Sequence, residues 1–120
     1  MDELIARLVA NVGVDKATAE KSVGIILDFL SKEGPPDKVQ ALIAALPGAE
    51  ALLKAQQAGS GGGFAMGGLM GAGTKLMAAG LSMGQVQSVT REVIAFSREK
   101  AGEDAIGEIV GAIPGLSQFI

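Results

Sequence analysis

The chain has no cysteine, histidine, tryptophan or tyrosine. Without cysteine there are no disulfides, no thiolate metal sites and no thiol nucleophile. Without histidine the commonest general base and metal ligand is missing. Catalytic candidates therefore reduce to Asp, Glu, Lys, Ser, Thr and Arg. Charge of one sign is scarce too: 10 basic and 13 acidic side chains give a net charge of −3. The two signs are mixed in both halves, six basic with eight acidic over 1–54 and four with five over 55–120. Phosphate recognition needs a concentrated positive field, and base stacking would rest on 4 phenylalanines, so nucleic acid is not an expected partner.

Long apolar runs are also missing. Lys54 and Lys75 bracket 20 uncharged residues, the nominal length of a bilayer span, but eight of these are glycine and Gln56, Gln57, Ser60 and Thr74 are polar. Too few large apolar side chains remain to drive partition, and no spanning helix is expected. The acidic start Met1-Asp2-Glu3 runs directly into an amphipathic pattern. It shows neither the basic start nor the apolar stretch of a secretory signal, and the cytoplasm is the expected compartment.

What is present is helical periodicity. The 120 residues are one ordinary domain, 48% hydrophobic with a mean hydropathy of +0.39, and 18 of them are glycine. Leu4, Ile5, Leu8, Val9 and Val12 recur at helical spacing, with Asp2 as cap and Gly13 as stop. A second helix is expected over Lys16–Glu33, with Ala19, Val23, Ile26, Leu27 and Leu30 as its main stripe. Gly34-Pro35-Pro36 ends it. Pro36 and Asp37 suit the first turn of a third helix carrying Val39, Leu42, Ile43 and Leu46, stopped by Pro47-Gly48. A short fourth turn from Ala49 to about Gln57 brings Leu52 and Leu53 inward.

Shifting the chain by 67 residues aligns 13–53 with 80–120 without a gap. Gly13/Gly80, Phe29/Phe96, Asp37/Asp104, Ala45/Ala112, Pro47/Pro114 and Gly48/Gly115 are identical, and the apolar register agrees: Ile26/Val93, Leu27/Ile94, Val39/Ile106, Leu42/Ile109 and Leu46/Ile113. One offset that satisfies core, cap and turn positions together is a repeat signal. Ser82-Met83-Gly84-Gln85 reads as a capping box with Leu81 and Val86 as its staple, matched by Asp15 to Thr18 in the first copy. The expected fold is all-α: helical repeat one over 1–57, a glycine-rich linker over 58–67 and helical repeat two over 68–120, opening with a helix at about 68–79. The two would pack face to face in one domain with pseudo-twofold symmetry. The alternative is that the Gly59–Gly63 stretch lets the units swap between two chains. Gly59, Gly63, Gly67 and Gly71 have the four-residue spacing of closely packed helices. We read 58–66 as linker and 67–80 as a helix packed on a neighbour.

Gly80-Leu81-Ser82, followed by Val86, Val93-Ile94, Phe96, the turn Lys100-Ala101-Gly102 and an apolar helix, resembles a small bacterial domain family of unknown function associated with Vcg-type proteins. Val39, Leu46-Pro47-Gly48 and Leu52-Leu53 resemble that family's Pro-Gly segment, and Gly67-Gly68-Leu69-Met70-Gly71 is similar to its glycine-rich middle. The resemblance spans about residues 10–115. It implies an all-helical bacterial protein and lends no activity, cofactor or site residues.

Chemistry is hard to find. Glu103, Asp104 and Glu108 form the densest carboxylate group, with Asp104 and Glu108 at i, i+4. Acids at a helix start are favoured by the helix dipole, and Asp37 recurs at the equivalent place, so a structural role is expected. Calcium would need a compact loop of oxygen ligands. Gly73-Thr74-Lys75 has the wrong order for a phosphate loop. No metal, no cofactor and no enzymatic activity are expected.

Two binding readings remain. Ile25 and Phe29 lie nearly opposite the main stripe of the second helix, so that helix is either covered all round or carries an exposed patch for a partner or a second copy. In the second copy Glu92 replaces Ile25 and Ser97 replaces Leu30, which points to a more exposed helix there and places any partner face in copy one. This gives a non-enzymatic helical interaction or self-association module. The alternative is a carrier of a small apolar ligand or lipid between the repeats, lined by Met66, Met70, Met77 and Met83.

Overall fold

Caps, prolines and left-handed glycines divide the chain into short helices. The computed structural model describes residues 2–46, 48–59, 68–113 and 115–119. Its regular elements are all helices: α1 (Asp2–Asn11), α2 (Lys16–Glu33), α3 (Pro36–Ala45), α4 (Ala49–Gly59), α5 (Gly68–Ala78), α6 (Met83–Ala101), α7 (Glu103–Ala112) and α8 (Leu116–Phe119). The all-α expectation holds, and no described helix is long and apolar enough to cross a membrane. The linker expected over 58–67 lies, from residue 60 on, outside the described residues, and Gly59 is the last residue of α4.

The two long helices start on the groups the sequence offers. The Asp15 carboxylate accepts a hydrogen bond from the Thr18 backbone N–H at 2.8 Å. Hydrogen bonding by the Thr18 side chain first, and then by this backbone N–H, holds the Asp15 carboxyl below its ordinary pKa. At α6 the capping box closes in both directions: the Gln85 N–H donates to Ser82 Oγ at 3.2 Å and the Ser82 N–H donates to Gln85 Oε1 at 2.9 Å. Leu81 and Val86 are buried together as its staple. The glycines just before these caps, Gly13 and Gly80, have φ of 85° and 108°, where a side chain would be strained.

The same 67-residue shift carries α2 onto 83–100, α3 onto 103–112 and α1 onto 69–78, against α6 at 83–101, α7 at 103–112 and α5 at 68–78. Contacts follow a matching pattern. α1 packs on α6 as well as α2, and α5 packs on α2 as well as α6. The pairs α2/α6 and α3/α7 meet directly. Buried apolar residues from both halves form one core, from Leu4 and Leu8 through Leu27, Leu30 and Leu42 to Phe96, Ile106, Ile109 and Leu116. Each such side chain contributes about 1.5–3 kcal/mol by leaving water.

α2 is the centre of this core. Ser22 to Leu30 are buried without interruption, two and a half turns, so the helix is covered in every direction. Its neighbours are α1, α3, α4, α5 and α6, and its contact with α4 is the most extensive between any two helices described. Where α2 ends, α3 and α7 come close. A Cβ on Gly34 would stand 2.8 Å from the Leu30 carbonyl oxygen, 3.0 Å from Val39 Cγ2 and 3.4 Å from Ile109 Cγ2. Only hydrogen fits there.

Polar groups inside the core are matched locally. The hydroxyls of Ser22, Thr90 and Ser97 donate to the carbonyls of Thr18, Val86 and Val93, four residues back, at 2.7, 2.8 and 2.7 Å. The buried Asp28 carboxylate lies 3.1 Å from Lys32 and 3.9 Å from Lys75, which ties α5 to α2. Across the molecule Arg7 of α1 reaches Glu99 at 2.8 Å and Glu92 at 3.4 Å on α6. The Glu99 hydrogen bond is the chief cause that raises the Arg7 pKa above its ordinary value. Arg7 and Lys100 also lie 5.6 and 5.4 Å from the centre of the buried Phe96 ring.

Candidate functional site

The expected partner patch on α2 does not exist as a surface. Ile25 is 4% exposed and Phe29 is 7% exposed, both inside the common core. The two-sided apolar pattern of α2 records a helix enclosed on all sides. The expectation of a more exposed α6 holds at one of its two positions and fails at the other. Ser97 is fully buried because its hydroxyl bonds within its own helix, and Glu92 is half-buried because Arg7 of α1 comes to it. α6 is thus more exposed than α2 at Glu92, which is half-buried where Ile25 is buried, and no more exposed at Ser97, which is as buried as Leu30.

Of the four expected methionines, the two whose side chains are described do not line a cavity. Met77 and Met83 are 48% and 57% exposed, far from lining a closed cavity. Met66 and the side chain of Met70 lie outside the described residues. Between the halves there is a crevice bounded by Ile26, Phe29 and Leu30 of α2, Leu76 of α5 and Val86 and Ile94 of α6, but its volume is about 10 Å³. That is room for one water molecule, against roughly 300 Å³ or more for a small-molecule site.

The carboxylates are structural in their surroundings. Glu108 pairs with Lys38 at 2.9 Å across α3 and α7, and Glu103 and Asp104 stand exposed in the first turn of α7. Among the described residues no three acidic groups come together as metal ligands.

What the fold does build is a groove on the outer face of α6. It is open, about 340 Å³, and lined by Arg91, Ile94, Ala95 and Arg98 of α6, Val110 of α7 and Ser117 of α8. Ile94, Ala95 and Val110 make an apolar floor. Arg91 and Arg98 are seven residues apart, so they lie on one face of the helix about 10 Å apart along its axis. Both are exposed, and like Lys16 and Lys21 they form no ion pair with a described residue, while Arg7, Lys32, Lys38, Lys54, Lys75 and Lys100 do. The position equivalent to Arg91 in α2 is Gly24, which is buried and faces a hollow shared with Leu52 and Ala55 of α4. The helix α4 lies along α2, and α8 packs on α7.

The sequence signal for this groove was available. Arg91 and Arg98 stand at i, i+7 on an otherwise mixed helix. Their significance depends on which helix faces are covered, and periodicity does not report that. Comparison of the chain with family models, with curated proteins and with solved structures finds no match.

Proposed function

We propose that this protein is a non-enzymatic helical interaction module, built from two pseudo-symmetric repeats, that engages another protein through the α6 face. One observation carries the reading. The two long helices have unlike outer faces: α4 lies along α2 and leaves a hollow of about 200 Å³, while α6 keeps an open groove of about 340 Å³ with an apolar floor and two arginines that pair with no described residue. A helix laid in a groove is a common mode of protein recognition. The matching helix boundaries and cross-packed helices support the repeat. The absence of histidine and cysteine from the sequence supports a role without chemistry.

The test is site-specific cross-linking. p-Benzoylphenylalanine placed at Ala95 is expected to give a discrete protein adduct in cell extract, competed away by excess unmodified protein and mapping to a helix of the partner. The same group at Met77, which is exposed on α5, is expected to give none. Equal adducts at both positions, or none at Ala95, refute an interaction face on α6.

A further inference from the structure

The occupant of the groove can be read from its chemistry, on the premise that the α6 face is a docking surface. We propose that the groove takes an acidic amphipathic helix of another protein, which lies on α6 broadly as α4 lies on α2.

The fold already contains the arrangement once. α4 lies along α2, and its Leu52 and Ala55 line an open hollow with Glu20, Lys21 and Gly24 of α2. On α6 the position equivalent to Gly24 is Arg91, and Arg98 stands where α2 has Ser31. A neutral helix seated there would press two guanidinium groups out of water without a counter-charge, which is unfavourable. A helix that carries carboxylates about 10 Å apart, the rise of two turns, turns both obstacles into contacts. Guanidinium groups receive carboxylates through two parallel N–H donors, so position is specified as well as charge. The apolar side of the visitor meets Ile94, Ala95 and Val110, and the aliphatic stems of the two arginines extend that floor.

The rest of the molecule sharpens the choice. The chain is net acidic at −3, and Arg91 and Arg98 give this groove a local positive charge that complements an acidic partner. Two isolated arginines over an apolar floor do not make the continuous basic track that a nucleic-acid backbone needs. A second copy of this chain carries carboxylates two turns apart at Glu92 and Glu99, but both are already engaged by Arg7 of the same chain.

The probe is a fluorescein-labelled 16-residue helical peptide with leucine and alanine on one face, flanked by glutamates two turns apart. Its control has lysine at each glutamate. Anisotropy and amide NMR shifts report binding. The acidic helix is expected to bind saturably, with the largest shifts at Arg91, Ala95, Arg98, Val110 and Ser117, and the lysine helix at least tenfold more weakly. Arg91→Glu with Arg98→Glu is expected to reverse this preference, and Arg91→Gln with Arg98→Gln to abolish it. Circular dichroism checks that both variants stay folded. Equal binding of the two peptides, shifts elsewhere, indifference to charge reversal, or preferential binding of a single-stranded oligonucleotide at the groove each overturns the proposal. A dimer by light scattering that Arg91→Glu dissociates identifies a second copy and overturns it too. If the Ala95 cross-link forms while the acidic helix fails to bind, the docking face stands and its acidic occupant falls. If neither occurs, both fall.

Discussion

Replacing Gly34 by alanine tests the closest approach in the core. The backbone there has φ of −91°, which any residue adopts, so the substitution introduces no conformational penalty. The difficulty is space. The added methyl meets the Leu30 carbonyl oxygen at 2.8 Å and Val39 Cγ2 at 3.0 Å, with Ile109 Cγ2 of the other half behind them at 3.4 Å. The first of these is backbone and cannot rotate away. Overpacking of this kind costs about 1–3 kcal/mol. Loss of glycine's freedom in the unfolded chain offsets about 0.4–1 kcal/mol of that. The net destabilisation is about 1–2 kcal/mol. With about 2.1 cal/mol/K of unfolding entropy per residue, a chain of 120 residues loses about 4–8 °C in Tm. Gly107→Ala and Gly111→Ala are the controls: both glycines lie within α7 with nothing within 4 Å of an added Cβ. Each is expected to stabilise by about 0.5–1 kcal/mol through helix propensity alone. Scanning calorimetry of the three variants decides. A Gly34→Ala protein that melts at or above the wild type would refute the packing of α2, α3 and α7 described here.

Three further outcomes are expected. Ile25→Ala should lower stability by about 2–5 kcal/mol in urea titrations, the loss proper to a core position, whereas a docking residue would change by under about 0.5 kcal/mol. Arg7→Gln and Glu92→Gln should couple by about 0.5–1.5 kcal/mol in a double-mutant cycle, because removing Arg7 alone strands a Glu92 oxygen that is buried and accepts no hydrogen bond among the described residues; strict additivity would contradict the α1–α6 link. Asp15→Asn keeps an N-cap but removes its titration. The folded Asp15 carboxyl is held below its unfolded value of 3.8, so its contribution is present above that pH and disappears as pH falls through the lower, folded value. The wild type should therefore lose stability relative to Asp15→Asn as pH drops below about 4, seen as converging or crossing Tm curves, and parallel curves would refute the cap.

Much of the helix map was legible in the residues. Asp15, Ser82-Gln85, Pro36 and the left-handed glycines act on backbone within three or four positions of themselves, so caps and stops need no tertiary information. The apolar stripes of α2, α3, α6 and α7 likewise identify most of the core, because helical period is a local property. The enclosure of Ile25 and Phe29 was not legible, since an apolar side chain looks the same whether another helix or water faces it. Ser97 misled for the same reason, since its hydroxyl is matched within its own helix, whereas Glu92 is the more exposed residue expected and is held half-buried by Arg7, eighty-five positions away.

By itself the sequence determined the all-helical class, the cap and turn positions, the shared register of the two halves and the exclusion of thiol and imidazole chemistry. Each of these follows from residue type and short-range spacing. Only the tertiary structure decided which faces are covered. It placed α4 over α2, brought Arg7 to Glu92 and left Arg91 and Arg98 around an open groove on α6. Burial and ion pairing depend on elements that are distant along the chain and adjacent in space, and no local pattern encodes which of them will meet.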